Sequence, residues 1–222
     1  MGSVALASLI TRARSRADMP IAGFVTEVEV TSWLNEGAQQ VHEKLVTAYG
    51  EEYLSTSASL TTVAGGTAPL PATFFKLLTI ETTIAGVVRS LKPYNLQERN
   101  AYRNSGLVST NVVPSYRVIG TNIQLLPIVV GTVFVITYAP EFTLMVSPAT
   151  GTTEFPNGWE KYAVAYAARQ MLLKEESDVR SLDMDLARWD REFLELAESR
   201  DAAAPKSSVD LDMVDYDPLW GP

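Results

Sequence analysis

The spacing of apolar residues changes period twice along this chain, and that change limits the folds open to it. Toward both ends apolar side chains recur every three or four residues, as on one face of a helix. Between about Tyr53 and Pro140 they recur every second residue, as on one face of a strand. The expected class is therefore α+β: a helical bundle formed by the N- and C-terminal helices, an inserted antiparallel β region, and an extended C-terminal tail.

Residues 3–17 set Leu6, Leu9, Ile10, Ala13 and Ala17 on one face of a first helix. Thr26 and Glu29 have the spacing of a capping box, and Val25 and Val30 that of a hydrophobic staple, so a second helix should open there. Its face is Val30, Trp33, Leu34, Ala38, Val41, Leu45 and Tyr49, with Gly50 placed as a C-terminal cap. From 27 to 49 it would run about 35 Å.

In the middle, Gly65-Gly66, Ala85-Gly86, Gly120-Thr121-Asn122 and Gly131 punctuate short strands. The clearest pair is Tyr116 to Ile119 against Ile123 to Leu126, followed by Thr132 to Tyr138; residues 95–103 read as a loop or short helix. Helical spacing returns with Trp159, Tyr162, Ala163, Tyr166, Ala167, Gln170 and Leu173. After a fresh N-cap at Ser177-Asp178 it continues with Val179, Leu182, Leu186, Trp189, Phe193 and Leu196, which suggests a helical hairpin. The expected boundaries are a helical domain from 1–52 and 154–204, a β-rich domain from 53–153, and a tail from 205–222.

Charge narrows the function. The chain carries 18 basic and 26 acidic residues, a net charge of -8. Residues 1–153 hold ten of each sign, residues 154–200 hold 7 basic and 11 acidic, and residues 201–222 hold 1 and 5. A sequence-reading nucleic-acid binder would show a basic patch instead. With no cysteine, disulfides and thiolate chemistry are excluded. The most apolar stretch, Ile123 to Ala139, is interrupted by Gln124, Pro127, Gly131 and Thr132, and no signal-peptide pattern opens the chain, so neither a membrane span nor a leader is expected.

No phosphate loop, dinucleotide turn, nucleophile elbow or zinc-helix motif occurs. The single histidine, His42, lies beside the apolar face of the second helix and reads as a surface or interfacial residue. Asp183 with Asp185, or Glu175 with Glu176, are too close in sequence to face each other across a substrate. The aspartates at 210, 212, 215 and 217 lack the glycine and terminal glutamate of an EF-hand loop. No catalytic residue, cofactor or metal site is therefore assigned, and the chain reads as a non-enzyme.

Two features ask instead for protein partners. Arg12, Arg14 and Arg16 fall mostly opposite the apolar face of the first helix and could pair with acidic groups of a neighbouring subunit. In the tail, Asp210, Asp212, Asp215 and Asp217 alternate with Leu211, Met213, Val214, Tyr216, Leu219 and Trp220, a segment unable to build a core of its own. Trp220 in particular asks for a pocket on a partner.

Several strings taken in order resemble the head-to-tail adaptor proteins of tailed bacteriophages, the connectors below the portal in short-tailed phages. They are Leu70-Pro71-Ala72 with Phe74 and Lys76; Tyr116-Arg117-Val118 with Gly120, Ile123, Leu126 and Pro127; Tyr138-Ala139-Pro140; Asn157-Gly158-Trp159-Glu160; Lys174-Glu175-Glu176-Ser177-Asp178; and Arg200-Asp201. The resemblance implies a virion protein of the neck, assembled in the host cytoplasm as a homo-oligomeric ring, commonly of twelve subunits. It would join the portal protein to the tail nozzle or tube while DNA passes through without specific binding. On that reading Asp210, Asp212, Met213, Asp215, Tyr216, Asp217, Leu219 and Trp220 bind the portal, and Arg12, Arg14 and Arg16 lie between subunits. A small hydrolase or glycan-modifying enzyme, or a virion binding module without ring symmetry, are the alternatives.

Overall fold

The computed structural model describes residues 2–20, 23–100, 113–147, 152–155 and 158–198. A short strand β1 (Gly2–Ala5) leads into α1 (Leu6–Arg16), and the long α2 (Glu27–Tyr53) follows. Eight strands come next: β2 (Thr56–Thr61), β3 (Thr67–Pro69), β4 (Phe74–Ile84), β5 (Val87–Ser90), β6 (Lys92–Pro93), β7 (Ser115–Ile119), β8 (Asn122–Leu126) and β9 (Val133–Pro140). Strand β10 (Thr152–Phe155) returns the chain to α3 (Glu160–Lys174) and α4 (Arg180–Glu198).

The helices share one apolar cluster that runs from Leu6, Leu9 and Ala13 through Val30, Leu34 and Val41 to Trp159, Met171, Trp189 and Phe193. Small residues let α2 and α3 approach closely. A methyl group added at Gly37 would stand 3.0 Å from both the Ala163 Cα and the Tyr166 Cβ. The capping box at the start of α2 is formed as its spacing predicts, with the Thr26 N–H donating to Glu29 at 2.9 Å and the Glu29 N–H to Thr26 Oγ1 at 3.3 Å. Val25 and Val30 are both buried beside it.

Helices α1 and α3 each end on a residue of positive φ, Asp18 at 55° and Glu176 at 60°. Both ends carry the Schellman bonds, Met19 N to Arg14 O and Ser177 N to Leu172 O. At the start of α4 the Asp178 carboxylate accepts from the Arg180 N–H at 3.0 Å, so the cap lies where the sequence placed it.

Two four-stranded sheets, in the orders β2-β9-β4-β5 and β3-β8-β7-β6, pack face to face. Alternation along β9 sends Phe134, Ile136 and Tyr138 inward to meet Ala68, Ile123 and Leu125, while Val133 and Val135 face solvent. This second cluster is separate from the helical one. A two-residue turn with both centres at positive φ, Ala85 at 50° and Gly86 at 80°, joins β4 to β5 as a tight hairpin requires.

Two sequence expectations are corrected. Residues 2–5 form β1, paired antiparallel with β10, and the first helix starts at Leu6; the partner strand lies some 150 residues away, beyond the reach of a local period. Helix α2 runs through Gly50 to Tyr53, so Gly50 is not its cap. The insert is antiparallel as expected apart from the short strand β6, which pairs parallel to β7. Within the expected loop or short helix at 95–103, Leu96–Glu98 form one 3₁₀ turn, and its last three residues lie outside the described ones.

Candidate functional site

Arginines 12, 14 and 16 all have partners within the chain. Arg12 pairs with Glu160 of α3 at 3.3 Å and keeps 43% of its side chain exposed. Arg16 pairs with Asp185 of α4 at 2.5 Å and lies over the Trp189 ring at 5.1 Å. Arg14 is buried and donates to the Val25 carbonyl at 2.9 Å, which ties α1 to the entry of α2. A helical wheel sets Arg14 at the edge of the apolar face beside Ile10; only the tertiary fold shows that a carbonyl awaits it.

Further ion pairs cross between helices: Lys174 to Glu29 at 2.7 Å, Lys161 to Glu192 at 3.4 Å, and the close pairs Lys44 to Asp190 and Arg169 to Asp183. Of the carboxylates considered above as acid/base candidates, Asp183 and Asp185 are engaged with cations on other helices, Asp183 with Arg169 and Asp185 with Arg16. Glu29 is held at a pKa of about 2 by the Lys174 ammonium and the Thr26 donors. Burial works against the charge on Lys44, yet its bonds to Asp190 and Tyr162 outweigh that and raise its pKa. Among the described residues, no group of three or more His, Asp or Glu is placed to hold a metal ion.

The β module stands on α2 by one end. Lys76 of β4 donates to the Val46 carbonyl at 3.1 Å. His42 is buried edge-on to Phe75 and Phe142, with ring centroids at 5.7 and 6.0 Å. Its pKa is lowered because burial penalises the imidazolium more than a bond to the Pro140 carbonyl favours it. His42 is thus an interfacial residue between the two parts, in line with its sequence position. The chain then crosses back over α2, where the Asn35 amide both donates to the Met145 carbonyl and accepts from its N–H, each at 2.9 Å.

At the opposite end of β9 the module closes in three turns carrying exposed valines and Ile128. Sequence reasoning passed over these residues because each turn alone looks ordinary; the available signal was the lack of any charge in residues 61–66, 84–88 and 127–133. The tail residues Asp210, Asp212, Met213, Asp215, Tyr216, Asp217, Leu219 and Trp220 lie outside the described residues.

Helices at both ends, an inserted pair of sheets and ion pairs that cross between the helices make up the described part of the chain. The SU10 adaptor protein family matches residues 4–210. The chain belongs to the SU10 adaptor protein family. It is a bacteriophage adaptor, a structural kind of virion component. The SU10 adaptor match takes in every described element from α1 to α4 and reaches into the tail as far as Asp210. A search among curated proteins found no match. No helix among the described residues is long and apolar enough to cross a membrane.

Proposed function

We propose that this adaptor forms a ring in the virion neck, of twelve subunits as the resemblance implies, joining the portal to the tail nozzle or tube. The observation that carries the reading is the family match over residues 4–210 on a chain with two ends of different character. Helices from 1–52 and 154–204 form the ring body, the β domain from 53–153 projects toward the tail, and residues 205–222 reach the portal.

Heterologous contact between flanks of neighbouring helical bodies closes such a ring. Arg12, with much of its side chain exposed and donors beyond the one given to Glu160, is placed for that contact; Arg14 and Arg16 support it from within. An acidic C-terminal third suits a channel wall, since like charge keeps DNA phosphates from adhering as they pass. On the tail, Met213, Tyr216, Leu219 and Trp220 supply apolar anchors, while Asp210, Asp212, Asp215 and Asp217 set register against basic portal groups.

Removal of residues 206–222 tests the last step. The truncated protein should melt as the full chain does and lose binding to immobilised portal; undiminished capture would take the tail out of the mechanism.

A further inference from the structure

The end of the β module farthest from α2 is a rigid apolar tip. Thr62 locks two of its turns together: its hydroxyl donates to the Val129 carbonyl at 2.6 Å and accepts the Thr132 N–H at 2.9 Å, while its carbonyl accepts the Gly131 N–H at 2.9 Å. Gly66 packs so closely that a Cβ there would stand 2.9 Å from the Leu125 carbonyl oxygen and 3.3 Å from the Ile128 Cα. The register places Val133 opposite Thr61 and Phe134 opposite Thr82, so the β4–β5 hairpin ends level with the 127–132 loop.

On this frame Val63, Val87, Ile128, Val129, Val130 and Val133 all stand exposed, Val130 by 65%. None of residues 61–66, 84–88 and 127–133 is charged, in a chain with 20% charged residues. An ordinary solvated turn carries Asp, Asn or Lys; exposed apolar side chains that total on the order of 500 Å² at one end of the module, without any charge, mark a contact.

We propose that this tip is the docking anchor of the β module and enters an uncharged, apolar socket on the next protein of the tail. The partner's identity rests on the adaptor reading above; the location and chemistry of the contact rest on the tip. Its composition decides the occupant. A lipid surface would call for a basic collar and interfacial aromatics, whereas the tip has neither and belongs to a chain of net charge -8. A second copy meeting it tip to tip would bury on the order of 500 Å² per partner, below the roughly 800 Å² of a standard stable interface. A small anchor of this kind binds weakly once and firmly when a ring presents many copies together.

The test uses Val130→Asp and, on a separate turn, Val87→Asp, with Val146→Asp as the control. Val146 is 85% exposed on the strap beside α2, away from the tip. Phage heads lacking this protein are loaded with each purified variant, mixed with tail proteins, and scored for tailed particles by negative-stain electron microscopy. Both tip variants should melt within about 2 °C of wild type and load onto heads normally. Burying an unpaired carboxylate in the socket should then cut tailing by about 100-fold or more, with Val146→Asp unaffected.

Normal tailing by the tip variants overturns the tip and leaves the adaptor reading standing. Failure of the wild-type protein to load onto heads overturns the adaptor reading and the tail socket with it. Sedimentation with phosphatidylglycerol vesicles, or a dimer in sedimentation velocity, that Val130→Asp abolishes would give the tip a different occupant and also overturn the proposal.

Discussion

Replacing Gly37 with alanine separates two effects of opposite sign. In a solvated helix interior the added methyl would stabilise by about 1 kcal/mol, because glycine loses more backbone freedom on folding. Here the methyl would meet the Ala163 Cα and the Tyr166 Cβ at 3.0 Å and the Tyr166 Cγ at 3.2 Å. Carbon atoms settle at about 3.5–4.0 Å, so α3 would have to recede by a few tenths of an ångström. Both principal obstacles are fixed to the α3 backbone, which leaves no flexible side-chain end to yield. Overpacking of this kind costs about 1–3 kcal/mol, so the net effect should be a loss of about 1 kcal/mol. For a chain of 222 residues that lowers Tm by about 2–4 °C. Gly37→Leu should cost about 3 kcal/mol, and Gly23→Ala, with nothing within 4 Å, should be neutral within about 0.5 kcal/mol. Circular dichroism melts decide the sign; a Gly37→Ala protein more stable than wild type would refute the close crossing of α2 and α3.

Glu176→Gly should stabilise by about 0.5–1 kcal/mol in the same melts, because it relieves a side chain held at φ 60°. Asn35→Ala removes both bonds to Met145 and should cost about 1–3 kcal/mol, with faster hydrogen exchange at the Met145 amide. The pH response has two parts. With its folded pKa depressed to about 2, Glu29 contributes stability that is complete above its ordinary value of 4.5 and lost as pH falls toward 2; Glu29→Gln should flatten that part of the curve. His42 is a base whose folded pKa lies below its ordinary 6.5, so its neutral form is favoured and stability falls as pH drops below 6.5; His42→Leu should abolish that slope.

Most elements were legible because their signals are local. The Thr26 and Glu29 pair marked the start of α2, and Gly120 with Thr121 marked the turn between β7 and β8. Helical spacing located α3 and α4 to within a few residues. What escaped depends on distant partners. The period of residues 3–17 does not reveal that Gly2–Ala5 will pair with Thr152–Phe155, and a wheel does not reveal the Val25 carbonyl waiting for Arg14. The candidate tip escaped for a related reason. Val63, Val87 and Val130 lie on three turns far apart in sequence, and only the strand register brings them to one end of the module.

The most direct test of the account is a cryo-electron microscopy reconstruction of the virion neck. It should show a closed ring of this chain below the portal, with α1 to α4 in the ring body and the turns around Val63, Val87 and Val130 seated in the next tail protein. A neck without a ring of this fold, or with the helical body facing the tail and the tip facing the portal, would contradict it.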